Sequence, residues 1–260
     1  MDNILRLSND GKRLIEVLDK SAEQITIPAS VEVIWKRALD QFDQLQSIEV
    51  AAGNRRFASI DGILYNKRLT KLICVPGAAK LYKSLEDGLF SVPEGVKTIE
   101  KRAFYWRMMS GHRVSVHLPE SVTKIGEGAF EGCKLLCSIN IPDSVRKIEA
   151  RTFALCYFLN RIDIAHGVEE IGNQAFYNCQ SLCCIDIPAS VTTIGEEAFA
   201  DCESLQEIHM HYTSLKGLDI AEDAFESYKM DKCTLYVPAG TKWEYIEHPA
   251  FCRFKNIVEK

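Results

Sequence analysis

The residues best suited to chemistry in this chain are two histidines in the segment IHMHY. His209 and His211 lie two positions apart, so on a β-strand their imidazoles would share one face. Asp186 precedes His209 by 23 residues, which is one period of the repeat described below. Two imidazoles and a carboxylate form the ligand set of many zinc sites. The sequence therefore raises His209, His211 and Asp186 as a metal site, with an ordinary polar strand face as the alternative.

Nucleophilic catalysis has weaker support. The chain has ten cysteines and six histidines, but Cys183 and Cys184 are adjacent and do not form a C-x-x-C redox motif. No G-x-S-x-G, P-loop or H-E-x-x-H motif occurs in the sequence. We therefore expect no catalytic residues, no cofactor and no enzymatic activity.

Polar residues recur along the chain at two positions of a repeated strand. In a solenoid, strand side chains that point away from the core form the usual surface for a partner. The side chains expected to contact a protein or peptide are His117, Asn140, Arg161, Asp163, Cys184, Asp186, Glu207 and His209. We assign Leu72 and Cys74 to the same two positions in an earlier coil. The central acids would suit a basic segment, with Arg161 orienting it; the alternative is that these side chains only keep the face hydrated.

A second group of candidates is the segment FYWRMM, which lies in a coil three residues longer than the regular coils. Tyr105, Trp106, Met108 and Met109 form an aromatic and methionine group that would suit an exposed contact patch. The alternative is that these residues fold back over the core beside the short preceding coil. The sequence leaves both interpretations open.

The element that must position these residues is a repeat with a period of 23 residues. Successive copies align on the evenly spaced positions Pro119, Pro142, Ala165, Pro188 and His211. In each copy an alternating segment such as LCSINI predicts a half-buried strand, and the preceding segment favours a turn and a short helix. These elements predict an α/β solenoid, a right-handed coil with a parallel β-sheet on the concave side and short helices or turns on the convex side.

The array extends over almost the whole chain. The predicted parts are a cap at 1–27 with a hairpin and the first strand, the solenoid at 28–237, and a C-terminal cap at 238–260, all in one structural domain. Within the solenoid, regular coils of 23 residues occupy 119–210 and irregular coils occupy 51–118 and 211–237. The caps are expected because terminal repeats must close the core.

Four cysteines share one position of the repeat. They are Cys133, Cys156, Cys179 and Cys202. Because the chain shows no secretory leader, we expect a reducing compartment and buried free thiols that pack as small hydrophobic groups. Disulfides between neighbouring coils are the alternative.

Composition and charge exclude several classes of partner. The net charge is −5, so the chain lacks the basic patch typical of nucleic-acid binding. No apolar run approaches the roughly 20 residues that a membrane span requires. The N-terminal sequence is unlike a secretory leader, which predicts a cytoplasmic protein. The expected oligomeric state is a monomer or a weak homo-oligomer.

The repeat as a whole resembles the BspA-like leucine-rich repeat family of surface proteins. The matching segments include LPESVTKIGEGAFEGCKLLCSINIP, SIDGILYNK and LYVPAGTKWEYIEHPAFCRFKNIVE. The resemblance implies a leucine-rich-repeat-type solenoid with a role in binding protein or matrix, without catalytic residues. It also implies a location at the cell surface, in conflict with the missing leader. Two functions therefore remain: a protein- or peptide-binding repeat protein, and a surface adhesin domain for host protein or glycan.

Overall fold

The computed structural model describes residues 4–35, 37–40, 44–78, 88–106, 113–226 and 230–260. The strands are β1 (Leu5–Leu7), β2 (Arg13–Val17), β3 (Gln24–Ile27), β4 (Val33–Ile34), β5 (Ser47–Val50), β6 (Phe57–Ile60), β7 (Ile63–Asn66), β8 (Lys71–Cys74), β9 (Leu89–Ser91), β10 (Thr98–Ile99), β11 (Val114–His117), β12 (Lys124–Ile125), β13 (Leu136–Asn140), β14 (Lys147–Ile148), β15 (Arg161–Asp163), β16 (Glu170–Ile171), β17 (Cys184–Ile187), β18 (Thr193–Ile194), β19 (Glu207–Met210), β20 (Asp219–Ile220), β21 (Thr234–Val237) and β22 (Asn256–Glu259). Within the described residues the only α-helix is α1 (Lys242–Glu247), and Met230–Lys232 and Pro249–Phe251 form short 3₁₀ helices.

The longer strands of successive coils stack in parallel, as the repeat predicts. They form two four-stranded sheets, β9-β11-β13-β15 and β17-β19-β21-β22. The register follows the period of the sequence, since Ser138 lies opposite Arg161 and Asn140 opposite Asp163. Alternate residues are buried in these strands, for example Ile139 between Ser138 and Asn140. The solenoid of parallel strands is therefore confirmed, whereas its handedness stays a prediction.

A further sheet, which is parallel from β8 to β20, runs along another side of the coils. Two-residue strands β10, β12, β14, β16, β18 and β20 stack on one another and continue into β8, β7 and β6, which makes nine strands in all. In most coils the second residue of the strand is an isoleucine that faces the core, such as Ile125 or Ile148. Sequence periodicity did not predict these strands, because two residues are too few to show alternation.

The third side of each coil is a series of turns, where the sequence favoured a short helix. Left-handed backbone recurs there at Gly128, Gly132, Arg151, Leu155, Gln174, Asn178, Glu197 and Asp201. The N–H groups of Arg151 and Leu155 donate to the next coil, to the carbonyls of Asn173 at 3.0 Å and Tyr177 at 2.8 Å. An α-helix would direct these N–H groups back along its own segment. Bonds between coils therefore replace helical bonds, although a left-handed residue costs roughly 1–2 kcal/mol.

Behind these turns, the hydrophobic core contains a column of phenylalanine side chains. The phenylalanines of successive coils stack, with ring centroids 4.6–5.5 Å apart. These residues are Phe104, Phe130, Phe153, Phe176, Phe199 and Phe225. The four repeated cysteines lie beside them as buried thiols, and each Sγ donates to the carbonyl of a stacked phenylalanine at 3.0–3.2 Å. The buried packing expected for this position is confirmed.

Strands β6 to β8 form an antiparallel insertion between two hydrophobic cores. Ile63 and Tyr65 pack into the main core, whereas Phe57 and Leu64 pack into a second core formed by the first coils. The assignment of Leu72 and Cys74 to the partner face is therefore wrong: both are buried, and β8 pairs with β10 in the nine-stranded sheet. The strand that neighbours β11 on the longer-strand side is β9.

Both ends of the array have structures of their own. Near the N-terminus β1 and β2 pair antiparallel, with a turn at Gly11, which has a φ of 68°. Near the C-terminus β22 pairs with β21. Tyr245 of α1 and Phe251 are fully buried, and Phe251 packs against Phe225 at the end of the phenylalanine column. These contacts cover the last coil.

Candidate binding face

The longer strands of the two four-stranded sheets are neighbours along the coils. We call the surface formed by their outward side chains the long-strand face. It comprises the residues of β11, β13, β15, β17, β19 and β21 that alternate with the buried ones. All eight residues predicted to contact a partner lie on it. The backbone is held by hydrogen bonds between coils, so these side chains project from a rigid base.

At the N-terminal part of this face, side chains form hydrogen bonds with other groups of the protein. Ser138 donates to the hydroxyl of Ser115 at 2.8 Å. The Asn140 amide accepts from the Leu118 N–H and donates to the Leu118 carbonyl, both at 2.8 Å. Asn140 thus provides hydrogen bonds to the N–H and the carbonyl of Leu118, which lack a strand partner. His117 is exposed.

The centre of the face is charged and open to solvent. Arg161 Nε lies 3.2 Å from Asp163 Oδ1, and both side chains are about 80% exposed, at 79% and 80%. Asp186, on the next coil, lies 3.3 Å from His211 Nε2. An exposed pair of this kind contributes little to stability. These groups are consequently free to exchange their solvent contacts for contacts with a partner.

The C-terminal part of the face is aromatic. The imidazole of His209 stacks on Tyr236, with centroids 4.6 Å apart and planes within 19°. Lys260 Nζ lies 3.4 Å from the centroid of the Tyr236 ring, an arrangement that a cation–π interaction favours. His209 Nε2 is 3.2 Å from Glu207 Oε2. The ring of His209 is therefore held on its face by Tyr236 and at its edge by Glu207.

The two predicted metal-ligating histidines have different partners. His211 pairs with Asp186 and His209 with Glu207. Asp186 and His209 are opposite each other in the strand register, as predicted. The metal-ligating atoms that come together are those of Cys184, Glu207 and His209, all within 4.8 Å of one another. Burial, with the nearby Asp186 and Glu207 carboxylates, raises the pKa of the Cys184 thiol.

The predicted aromatic patch lies on the turn side, away from the long-strand face. Trp106 covers Gly132 of the next coil so closely that a Cβ there would lie 2.7 Å from the indole. The Arg102 guanidinium lies over the Tyr105 ring at 4.1 Å. Both aromatic side chains are half-buried. Met108 and Met109 lie outside the described residues.

A groove near the N-terminus was not predicted from the sequence. It has a volume of about 780 Å³ and lies beside β4, where Val33 and Trp35 are about half exposed, at 48% and 54%. Arg6, Lys20 and Arg37 also line it. The sequence signal that could have indicated this groove is the single tryptophan, Trp35, of the first coil. Among the described residues, no helix has the length and apolar character needed to cross a membrane.

Comparison with known proteins agrees with this architecture. The family model for the BspA type leucine rich repeat region matches residues 97–230 and 169–259 in six copies. The chain belongs to this family. The resemblance noted from the repeat is therefore confirmed. No curated protein matches the chain significantly.

Two solved structures resemble this chain over part of their own length. The pneumococcal vaccine antigen PcpA superposes with a TM-score of 0.76 at 22% identity, over 96% of this chain and 58% of that one. A leucine rich cell surface protein from Faecalibacterium prausnitzii A2-165 has a TM-score of 0.63 at 35% identity, over 73% of this chain and 48% of that one. The chain thus spans about half the length of these two structures.

Proposed function

We propose that this BspA-type repeat is a non-enzymatic binding protein that holds a protein or peptide on its long-strand face. The observation that carries the proposal is the open charged centre, where Arg161 and Asp163 are about 80% exposed, at 79% and 80%, on a rigid parallel sheet. Leucine-rich repeat proteins are generally non-enzymatic, and their extended surfaces suit long partners.

The charges of this face favour a partner with basic groups. Asp163, Asp186 and Glu207 are exposed along three successive coils, and Arg161 is the only cation among the predicted contact residues. Asp163 and Asp186 occupy the same position of the repeat in successive coils, and Glu207 follows on the next coil, two residues before the residue aligned with Asp186. An extended basic segment can therefore contact all three. Complementary charge would raise the association rate and fix the register of such a segment.

Charge reversal tests this proposal directly. We expect the double variant Asp163→Lys and Asp186→Lys to lose a partner that the unchanged protein captures from the native cell, because four units of charge change on the proposed contact surface. The measurement is affinity capture followed by mass spectrometry, with a dissociation rate determined for each captured protein.

A matched control keeps the same change in net charge. Glu94 and Glu120 are exposed residues outside the long strands, and their double replacement by Lys should leave capture unchanged. Equal capture by all three proteins would refute binding on the long-strand face.

A second candidate function is that of a surface adhesin domain for host protein or glycan. It is favoured by the similarity to the Faecalibacterium prausnitzii protein, which is described as a cell surface protein. Fractionation of the native cell separates the two candidates: detection only in the cytosol would remove the adhesin function, and labelling on intact cells would support it.

A further inference from the structure

Three different metal-ligating side chains meet on the long-strand face. Strand register places Cys184 opposite Glu207, and His209 follows Glu207 by two residues on the same face. One thiol sulfur, one carboxylate oxygen and one imidazole nitrogen from these residues lie within 4.8 Å of one another. The backbone positions of the three are set by the parallel pairing of β17 and β19.

The imidazole is already oriented for ligation. The His209 ring lies flat against Tyr236, and its Nε2 points to Glu207 at a distance of 3.2 Å. The His209 side chain is 21% exposed and contacts Tyr236 and Glu207. A ligand held by such neighbours loses less entropy when it binds an ion.

We propose that Cys184, Glu207 and His209 together bind one zinc-class divalent ion. Tetrahedral zinc with bonds of about 2.0–2.3 Å brings its ligand atoms to roughly 3.5 Å from one another, so small side-chain rotations close the present spacing. Thiolate and imidazole select Zn²⁺ or Co²⁺ over Mg²⁺ and Ca²⁺. Three protein ligands leave a fourth position for water. The Cys184 proton is released to solvent as the thiolate binds.

This site differs from the histidine pair that the sequence raised. His211 contacts Asp186 and is exposed, and neither residue belongs to the group of three. The inference also does not depend on the proposed partner. Metal binding and partner capture can each fail without the other.

Cobalt titration tests the site in the 260-residue chain, without a histidine tag, after reduction and removal of metals by a chelator. We expect a near-ultraviolet thiolate-to-cobalt absorption band that saturates at one equivalent and disappears when Zn²⁺ is added. Cys184→Ser should remove the band. His209→Ala and Glu207→Gln should each weaken cobalt affinity by more than about tenfold, since even residues that only support ligands cost about 10–100-fold.

Two matched variants distinguish this site from its neighbours. Cys183→Ser removes an adjacent exposed thiol, and His211→Ala removes the other histidine; both should keep the band and its affinity. Glu207→Gln alters an exposed side chain, so it tests the site even where Cys184→Ser impairs folding, which circular dichroism would reveal. The proposal is overturned if the unchanged protein gives no band, if Glu207→Gln binds cobalt as tightly, or if Cys183→Ser loses the band.

Discussion

At the scale of single residues, burial determines which cysteines are chemically available. The repeated cysteines are enclosed beside the phenylalanine column, and burial raises the pKa of Cys156 and Cys179 well above the ordinary thiol value. Cys183 and Cys252 are exposed. Thiolate is the reactive species, so a raised pKa and lack of access both protect the buried thiols.

Alkylation of the native protein should therefore be selective. We expect iodoacetamide to modify Cys183 and Cys252 while Cys156 and Cys179 stay unmodified, even near pH 9, where an ordinary thiol of pKa about 8.5 is mostly ionised. Mass spectrometry of peptides measures the extent at each site. Denaturant should make all four reactive, which serves as the control. Equal labelling rates for Cys156 and Cys252 in the native state would contradict the buried packing.

At the scale of elements, the turns of successive coils are joined by a polar ladder. Arg151 donates to Glu131 Oε1 through Nη2 at 2.6 Å and through Nε at 3.1 Å, and it also donates to Gln174. The Glu131 side chain is only 6% exposed, whereas that of Arg151 is 40% exposed. The positive charge of Arg151 therefore compensates the negative charge of the buried Glu131 carboxylate.

Loss of that cation should destabilise the protein. We expect Arg151→Met to lower the free energy of unfolding by about 2 kcal/mol, less than the roughly 3–5 kcal/mol of a fully buried pair because solvent screens Arg151. Denaturant unfolding measures the change. Adding Glu131→Gln should restore part of the loss, since it removes the uncompensated charge.

An exposed arginine provides the comparison. Arg161→Met breaks an ion pair whose side chains are 79% and 80% exposed, and its effect should stay within about 0.5 kcal/mol. Equal effects at Arg151 and Arg161 would show that the turn ladder does not stabilise the coils.

At the scale of the whole molecule, the array must be closed where the repeat ends. β22 covers the edge of β21, and Phe251 covers the end of the phenylalanine column at Phe225. An uncovered strand edge and an exposed apolar end are both surfaces for self-association. The C-terminal segment covers the apolar end of the column, and we propose that it acts as a cap.

Removal of 238–260 should expose this end. We expect the shortened protein to melt at a lower temperature and to form concentration-dependent oligomers, because β21 and Phe225 lose their cover. Sedimentation velocity and thermal melts measure both effects. Trp243→Ala is the control, since that side chain is 61% exposed on α1 and should change neither. A shortened protein that sediments and melts like the full chain would contradict a capping role.

Much of the fold was readable from the sequence because every coil must bury the same side chains. The period of 23 residues predicted the parallel strands, their register and the buried cysteines. The two-residue strands and the left-handed turns were missed, since their hydrogen bonds run between coils and have no local pattern. At the face, the period correctly placed Asp186 opposite His209.

The sequence by itself determined the period, and with it the core, the stacking register and the family. Tertiary structure alone decided which side chains meet: it pairs Asp186 with His211, gathers Cys184, Glu207 and His209, and uses Asn140 to hold the Leu118 backbone. The physical reason is that buried positions recur with the period of the sequence. Contacts between exposed side chains depend instead on rotamers and on neighbours one coil away.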